Sequence, residues 1–459
     1  MKKVTALCFA VLMVLTMFLS TALAAPAYDG EVGPYAVMLL DATSGDVLYE
    51  KNADETIEPA STTKIMTLLL ALEKGDMESV VTVSANAAKQ GGSLLHVSKG
   101  EEVVFKDLIN GMMLASGNDA AVAVAETLGG SEEGFAELMN QKAAELGMTG
   151  TNFVVSHGMH VDNHHTTARD MSLLTLYAMQ NEDFARIVSQ DSYTMPADNK
   201  HSEKWVVANT NKLLLSDNEY YYKYATGIKT GSTPAAGDCL VSSASKDGMN
   251  LICLVFKDEY NGSERWPLSK KLFEYGFDNY KTVDVQSIID GTDPVVANVQ
   301  GAGSGSETLQ LNIVNTGKPF QTLDKALADK VAAGLKTQVV LNSGDALQAP
   351  LKAGDPVGVI NYLTDAGEQV FQGNLVASAD VALAGSETAE PSPSASVTAG
   401  TDKPASPKGD SIGLIGWILI GVGAVLLIML VILVVMGIGR KRRRYARRRK
   451  AVRRRTVRR

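Results

Sequence analysis

A chain of 459 residues has room for two or three domains, and its three cysteines are too few for a disulfide framework, so any folded part must rest on a hydrophobic core. The net charge of −8 hides two opposed parts. Fourteen Lys and Arg with no acid crowd into residues 440–459; apart from these and Lys2 and Lys3, the chain carries 27 basic against 51 acidic residues, which argues against nucleic acid as a partner of the body.

Lys2 and Lys3 precede an apolar run at 4–19, and Ala22-Leu23-Ala24 offers small residues for cleavage after Ala24. Residues 1–24 therefore read as a signal peptide rather than a membrane span. Residues 35–41 and 46–51, joined through Ala42-Thr43-Ser44-Gly45, read as an opening β-hairpin. Pro59 then precedes Ala60-Ser61-Thr62-Thr63-Lys64 and an apolar run free of Pro and Gly until Gly75, which predicts a buried helix starting near Ser61. Residues 80–83 and 102–104 are strand-like, and helical patterns follow at 105–115, 118–128, 132–146 and 167–179. From residue 192 the pattern turns to strands, ending in a hairpin of 239–245 and 250–256 with Asp247-Gly248 at its turn. Cys239 and Cys253 fall on opposite faces of that ribbon, so two buried thiols are expected there, not a disulfide. A helix at 264–275 closes the region. Strands at both ends of a helical middle predict an α+β domain at 25–281 whose first and last segments share one sheet.

Residues 282–385 alternate as short strands between Gly, Asn and Asp turns and read as a second, β-rich domain, with a helix at 323–335 and no catalytic constellation. Residues 386–410, rich in Ser, Thr, Pro, Ala and Gly, read as a disordered linker, about 25–30 Å across as a coil. Residues 411–439 read as one transmembrane helix: no charge falls in 412–439, and at 1.5 Å per residue that stretch is about 42 Å long against a core of about 30 Å. The basic residues 440–459 orient that helix with the tail in the cytoplasm and the body outside the cell membrane. Nucleic-acid binding by the tail is the sharper alternative, but a stop-transfer and anionic-lipid role already accounts for its charge.

The chemistry begins at Ser61. On a helix, residues three apart share a face, so the Ser61 hydroxyl and the Lys64 amine can meet. A serine hydroxyl needs a base to become a nucleophile, and a buried lysine can serve because desolvation lowers its pKa. Working at neutral pH asks the environment for about 4 kcal/mol against an ordinary pKa near 10.4. The site must be dry, or a second cation must stand nearby. Ser-x-x-Lys alone is weak, since a helix start with an unrelated lysine looks the same. Two further elements follow in order: Ser116-Gly117-Asn118 in a loop between two helical runs, and Lys229-Thr230-Gly231-Ser232 ahead of the cysteine hairpin. Acyl transfer needs a nucleophile, a base, an oxyanion site and a handle on the substrate, and for a substrate ending in a free carboxylate that handle is a cation and a hydroxyl, such as Lys229 and Thr230.

In that order, the three elements resemble the penicillin-binding proteins and serine β-lactamases. The likeness is greatest to the low-molecular-weight penicillin-binding proteins, the serine-type D-alanyl-D-alanine carboxypeptidases. It extends to Asn209-Thr210-Asn211-Lys212-Leu213-Leu214, His165-Thr166-Thr167-Ala168-Arg169-Asp170 and Tyr275-Gly276-Phe277, over roughly residues 30–280. The segment 282–383 is similar to that family's β-rich C-terminal domain. Many family members end in an amphipathic anchor, from which the expected full span and basic tail depart.

The resemblance implies a serine β-lactamase/DD-peptidase-like fold, no cofactor, peptidoglycan stem peptides as substrate and β-lactams as covalent inhibitors. It implies that Ser61 attacks the carbonyl between two D-alanines, that Lys64 takes its proton, and that Ser116 relays a proton to the leaving amine. Asn118 would bind the substrate amide, Lys229 would supply charge and depress the Lys64 pKa, and Thr230 would hold the terminal carboxylate. Gly231 completes that substrate-binding strand, and the N–H groups of Ser61 and Ser232 would form the oxyanion hole. Lys212 stands where many relatives carry an arginine.

Other readings weigh less. A class A β-lactamase needs a glutamate for deacylation, and no Glu-x-x-x-Asn lies between Asn118 and Lys229. His157, His160, His164 and His165 form a cluster that invites a metal, yet no clean carboxylate or cysteine stands beside it, and none is expected. Cleavage of cross-links as a D,D-endopeptidase, or wall binding without catalysis, would use the same groove. Nothing in the sequence assigns an oligomeric state.

Overall fold

The computed structural model describes residues 27–315 and 317–385. The expected signal peptide, linker, transmembrane helix and basic tail lie outside the described residues. Among the described residues, no helix is long and apolar enough to cross a membrane.

The central sheet takes its strands from both ends of the α+β region. Strand β1 (Ala36–Asp41) and β2 (Val47–Lys51) form the opening hairpin. A 3-10 turn at Ala60–Thr63 leads into α1 (Lys64–Lys74), and β3 (Val80–Thr82) pairs with β4 (Glu102–Val104). Five helices follow: α2 (Phe105–Ala115), α3 (Asn118–Gly129), α4 (Glu132–Glu145), α5 (Ala168–Ala178) and α6 (Glu182–Val188). The small hairpin β5 (Ser192–Met195) and β6 (Trp205–Ala208) precedes β7 (Ala225–Thr233), β8 (Gly237–Lys246), β9 (Met249–Asp258) and α7 (Arg265–Asn279). The five-stranded sheet has the order β2-β1-β9-β8-β7, antiparallel throughout. First and last segments thus share one sheet, as expected.

Period-2 alternation explains the three layers. Along β1, Ala36, Met38 and Leu40 enter the core beneath the helices, while Val37 and Leu39 enter the opposite core against α7. Along β9, Ile252, Leu254 and Phe256 face the first core, and Leu251, Cys253 and Val255 the second. A strand covered on both faces reads as a near-continuous apolar run, which is why β1 is apolar from Ala36 to Leu40. Each fully buried Leu, Ile, Val or Phe contributes about 1.5–3 kcal/mol. Helix α1 lies inside the helical layer, buried from Lys64 through Ala71. The hairpin turn at Asp247 and Gly248 has φ of 52° and 82°, the left-handed pair that a two-residue connection requires. Cys239 and Cys253 are free, buried and divided between the two cores, as the ribbon geometry predicts.

Three local expectations need correction. The Ser61 segment starts as a 3-10 turn, not an α-helix, because Ala60 takes a φ of 48°. Helix α6 was not anticipated, although Asn181 caps it by accepting from the Phe184 N–H at 3.0 Å and Glu182 and Asp183 fill its first turn. The last helix runs on through Gly276 to Asn279. That glycine is a contact point, not a terminator: a Cβ there would lie 2.6 Å from Leu251 Cδ1.

Strand β10 (Tyr280–Asp284) follows α7 without a linker, so the expected division at 281/282 falls inside a strand. The β-rich part then contains α8 (Val285–Asp290), β11 (Val295–Gln300), β12 (Thr308–Val314), β13 (Phe320–Asp324), α9 (Lys325–Ala333), β14 (Lys336–Leu341), β15 (Leu347–Gln348), β16 (Pro356–Leu363) and β17 (Gln369–Ala377). Its six-stranded sheet, β14-β16-β17-β12-β11-β15, closes over a core of its own that includes Leu311, Ile360, Tyr362 and Leu375. Polar contacts join it to the β1–β2 turn: Ser44 Oγ to Thr322 Oγ1 at 2.7 Å, Lys318 Nζ to Asp46 Oδ1 at 2.6 Å, and the Thr282 hydroxyl to Asp41.

Candidate active site

Three elements meet around Lys64. The turn at Ala60–Thr63 presents Ser61, Asn118 opens α3, and β7 runs alongside as an edge strand. Hydroxyls pin the turn from within: Thr62 Oγ1 donates to Pro59 O at 2.6 Å and Thr63 Oγ1 to Ala60 O at 2.8 Å. His164 backs it. Its Nδ1 accepts from the Val154 N–H at 3.0 Å, so in the neutral ring Nε2 carries the proton and donates to Thr63 Oγ1 at 2.9 Å. Gly158, with a φ of 84°, crosses so close that a Cβ would stand 1.8 Å from Ala60 O, so glycine is required there.

The Lys64 side chain is wholly buried. Its Nζ lies 2.7 Å from Asn118 Oδ1, 2.9 Å from His157 O and 3.1 Å from Ser61 Oγ. The Asn118 amide is oriented by its Nδ2, which donates to Gly91 O at 2.7 Å, leaving Oδ1 toward the lysine. Burial first, and the charge of Lys229 second, push the Lys64 pKa well below the usual lysine range. An uncharged amine has two N–H groups and one lone pair. The two carbonyl oxygens can only accept, so they take both N–H groups. The lone pair is left for the one contact able to donate, the Ser61 hydroxyl. Ser61 is thereby set up to lose its proton to Lys64.

Lys229 on β7 is 1% exposed, and its Nζ has no hydrogen-bond partner. Burial pushes its pKa down to about 7. Thr230 Oγ1 is 2.7 Å from Thr210 Oγ1 at the surface. Gly231 lies against the Ser61 turn, where a Cβ would be 3.0 Å from Ser61 N, and Ser232 is exposed beyond it. Ser116 caps the end of α2 with a φ of 61° and is 4% exposed. No hydrogen bond joins it to Ser61 or Lys64. Lys212 is exposed, with its ammonium 5.4 Å over the Tyr220 ring.

The four clustered histidines do not converge. His160 Nδ1 meets the Glu58 carboxylate at 3.0 Å, His165 Nδ1 donates to Asn163 O at 2.8 Å, and His157 Nδ1 accepts from Met159 N at 3.1 Å. Burial holds the His157 and His164 pKa values down to about 3 and about 4, so both rings stay neutral. His157 matters through its carbonyl, which no side-chain motif reveals; the following Gly158 is the one local sign of the turn that aims it. Asp119 is the other residue that the motif reading missed. Its carboxylate accepts from the N–H groups of Leu95, His96 and Val97 at 2.7–3.0 Å, tying the preceding loop to α3 next to Asn118.

Residues 21–260 match the family model described as D-alanyl-D-alanine carboxypeptidase. The chain is 33% identical over 356 residues to D-alanyl-D-alanine carboxypeptidase DacF of Bacillus subtilis, a match covering 76% of this chain and 86% of that one. It is 33% identical over 374 residues to DacC of Escherichia coli, covering 77% and 84%. Among solved structures, it is similar to the D-alanyl-D-alanine carboxypeptidase DacD from Francisella tularensis, with a TM-score of 0.63, 28% identity, and coverage of 78% of this chain and 96% of that one. Penicillin binding protein 5 from Haemophilus influenzae aligns with the same TM-score of 0.63 and 28% identity over 78% and 100%.

Proposed function

This chain belongs to the D-alanyl-D-alanine carboxypeptidase family of serine peptidases and has that family's hydrolytic activity, and we propose that it acts through an acyl-enzyme on Ser61. The observation carrying this reading is the contact between Ser61 Oγ and a Lys64 amine whose two N–H groups are already engaged.

Ser61 attacks the carbonyl between the last two D-alanines of a peptidoglycan stem peptide while its proton passes to Lys64. The peptide C–N bond then breaks, and Ser116 relays a proton to the departing D-alanine amine. Water releases the acyl group by the reverse protonation sequence. The N–H groups of Ser61 and Ser232 hold the oxyanion. Asn118 binds the substrate amide, and the unpaired edge of β7 at Gly231 receives the peptide as an added strand. Thr230 hydrogen-bonds the terminal carboxylate, while Lys229, buried beneath it, acts by charge and not by contact. A β-lactam offers the same carbonyl and carboxylate, and its ring keeps the leaving group in place. Mass-spectrometric mapping of penicillin-labelled protein is therefore expected to put the adduct on the peptide bearing Ser61; an adduct elsewhere, or none, defeats the assignment.

The two buried amines set the pH profile. Lys64 must be uncharged to take the proton, so kcat/KM falls on the acid side as Lys64 protonates, at a pH well under the usual lysine range. Lys229 must be charged to attract the carboxylate, so kcat/KM falls on the alkaline side near its value of about 7. Bound carboxylate favours charged Lys229, so the alkaline limb of kcat is expected at higher pH than that of kcat/KM. Lys229→Arg should move the alkaline limb of kcat/KM out of the measured range. Coincident limbs for the two parameters would contradict these roles.

The same reading places the body in the wall compartment, held to the cell membrane by one helix at 411–439 with residues 440–459 in the cytoplasm. The leader at 1–24, the uncharged stretch and the basic tail support it.

A further inference from the structure

A second group of ligand-type side chains stands outside this chemistry, at the foot of the loop that Asp119 ties down. Glu101 immediately precedes β4, and Asp198 and His201 lie at the tip of the β5–β6 hairpin. One ligand atom from each falls within 4.8 Å of the others. His201 Nδ1 is 3.4 Å from Glu101 Oε1 and 3.3 Å from Asp198 Oδ2.

Each carboxylate is anchored through its other oxygen. Glu101 Oε2 accepts from Ser98 N at 2.7 Å, and Asp198 Oδ1 accepts from Lys200 N at 2.6 Å and His201 N at 2.8 Å. Asn199 clips the two segments together, donating to Gly100 O at 2.8 Å and accepting from Glu102 N at 2.9 Å. The His201 ring packs on Trp205 with centroids 4.4 Å apart. The inner oxygens are therefore aimed by a fixed outer shell, as around a metal. Glu101 is fully buried, and its inner oxygen, Oε1, has no hydrogen-bond partner. Among the described residues, the ion-pair partner of both carboxylates is His201, and no lysine or arginine reaches either. A buried carboxylate oxygen left in this state is costly unless a cation joins it. Burial, with the Asp198 charge adding to it, raises the Glu101 pKa despite the Ser98 N–H.

We propose that Glu101, Asp198 and His201 bind a divalent transition-metal cation, zinc above all, that ties the 98–102 turn to the β5–β6 hairpin. Ligands about 2.0–2.1 Å from zinc stand roughly 3.3 Å apart in a tetrahedron, close to the two separations from His201 Nδ1. Three protein ligands leave the fourth position to water on the side of His201, whose side chain is 37% exposed and gives the ion its way in. Two carboxylates and one imidazole suit zinc; calcium would want six to eight oxygens, and manganese binds more weakly to such a set. The metal is structural: it steadies the turn that follows residues 95–97, which hang on Asp119.

The test is equilibrium dialysis of the full-length protein, stripped with chelator, against zinc chloride, with calcium chloride as the comparison. The expected result is one tightly held zinc per chain and no calcium, with zinc affinity lowered more than about 100-fold in both Glu101→Gln and His201→Ala. Zinc should raise the unfolding temperature of the wild type and leave that of the variants unmoved. Penicillin acylation checks that both variants are folded. No stoichiometric zinc in the wild type overturns the proposal, as does zinc retained equally by both folded variants, which would assign it to other histidines.

Discussion

Ser61→Ala is expected to abolish D-alanine release from a pentapeptide ending in D-Ala-D-Ala, with kcat falling by at least ~10⁴-fold and no penicillin adduct detectable by mass spectrometry. The size follows from the roles. Without the hydroxyl, the Lys64 lone pair has nothing to activate, and the oxyanion donors and substrate cleft alone give only residual catalysis. The fold should not suffer. Ser61 sits at the lip of the cleft with one side-chain hydrogen bond, while Thr62 and Thr63 hold the turn from the buried side. The unfolding temperature of Ser61→Ala should therefore match the wild type within error. A variant that still releases D-alanine at a tenth of the wild-type rate would sink the acyl-enzyme.

The second large effect separates the two buried lysines. Lys229→Met is expected to cost activity yet stabilise the protein, whereas Lys64→Met should lose activity and, near pH 10, stability. Lys229 Nζ has no partner, and its pKa drops from 10.5 to about 7 on folding. That drop corresponds to about 5 kcal/mol against the folded state when the amine must be charged in the unfolded chain. The sign is that of a lysine with a lowered folded pKa: the penalty is fully present below about pH 7 and fades as pH rises toward 10.5. Methionine of similar length removes it, so urea unfolding at pH 6 should show a gain of a few kcal/mol that shrinks by pH 10. Activity falls because a unit charge about 5 Å from the substrate carboxylate, at an effective dielectric near 20, contributes about 3 kcal/mol, or ~100-fold in kcat/KM. Lys64→Met relieves a charging penalty of the same kind, but leaves Asn118 Oδ1 and His157 O unpaired in a dry pocket at about 1–3 kcal/mol each, a loss that stands alone near pH 10, where the penalty has faded. It should lower stability near pH 10 and slow acylation by ~10⁴-fold. A Lys64→Met variant as stable as the wild type near pH 10 would mean that this account of the pocket is wrong.

Much of this site could be read from the chain because its chemistry is carried by side chains at short spacing. Ser61 and Lys64 are three positions apart, and one turn of either helix type brings them together. The two-faced sheet was legible too, since β1 is apolar from Ala36 to Leu40 and β9 from Leu251 to Phe256. What escaped was carried by the backbone or by distant pairs. Any residue could supply the carbonyl of His157, so its imidazole drew attention toward a metal that the ring does not serve. Gly276 read as a helix end because its lack of a side chain serves packing against Leu251, a strand away. Glu101 and His201 stand a hundred residues apart, with nothing in the intervening sequence to announce that a hairpin tip folds back onto the turn before β4.

The sheet has a temporal consequence. Strand β1 is built near the start of the chain, yet its hydrogen-bonded neighbour on one side is β9, which ends at Asp258. The amino-terminal strand must wait for a partner about two hundred residues away before it can be locked between its neighbours, and such distant pairing makes for slow assembly. A chain emerging end first thus keeps its nucleophile and base inert until the closing hairpin arrives, and a fragment cut short of that hairpin has no platform on which to hold them.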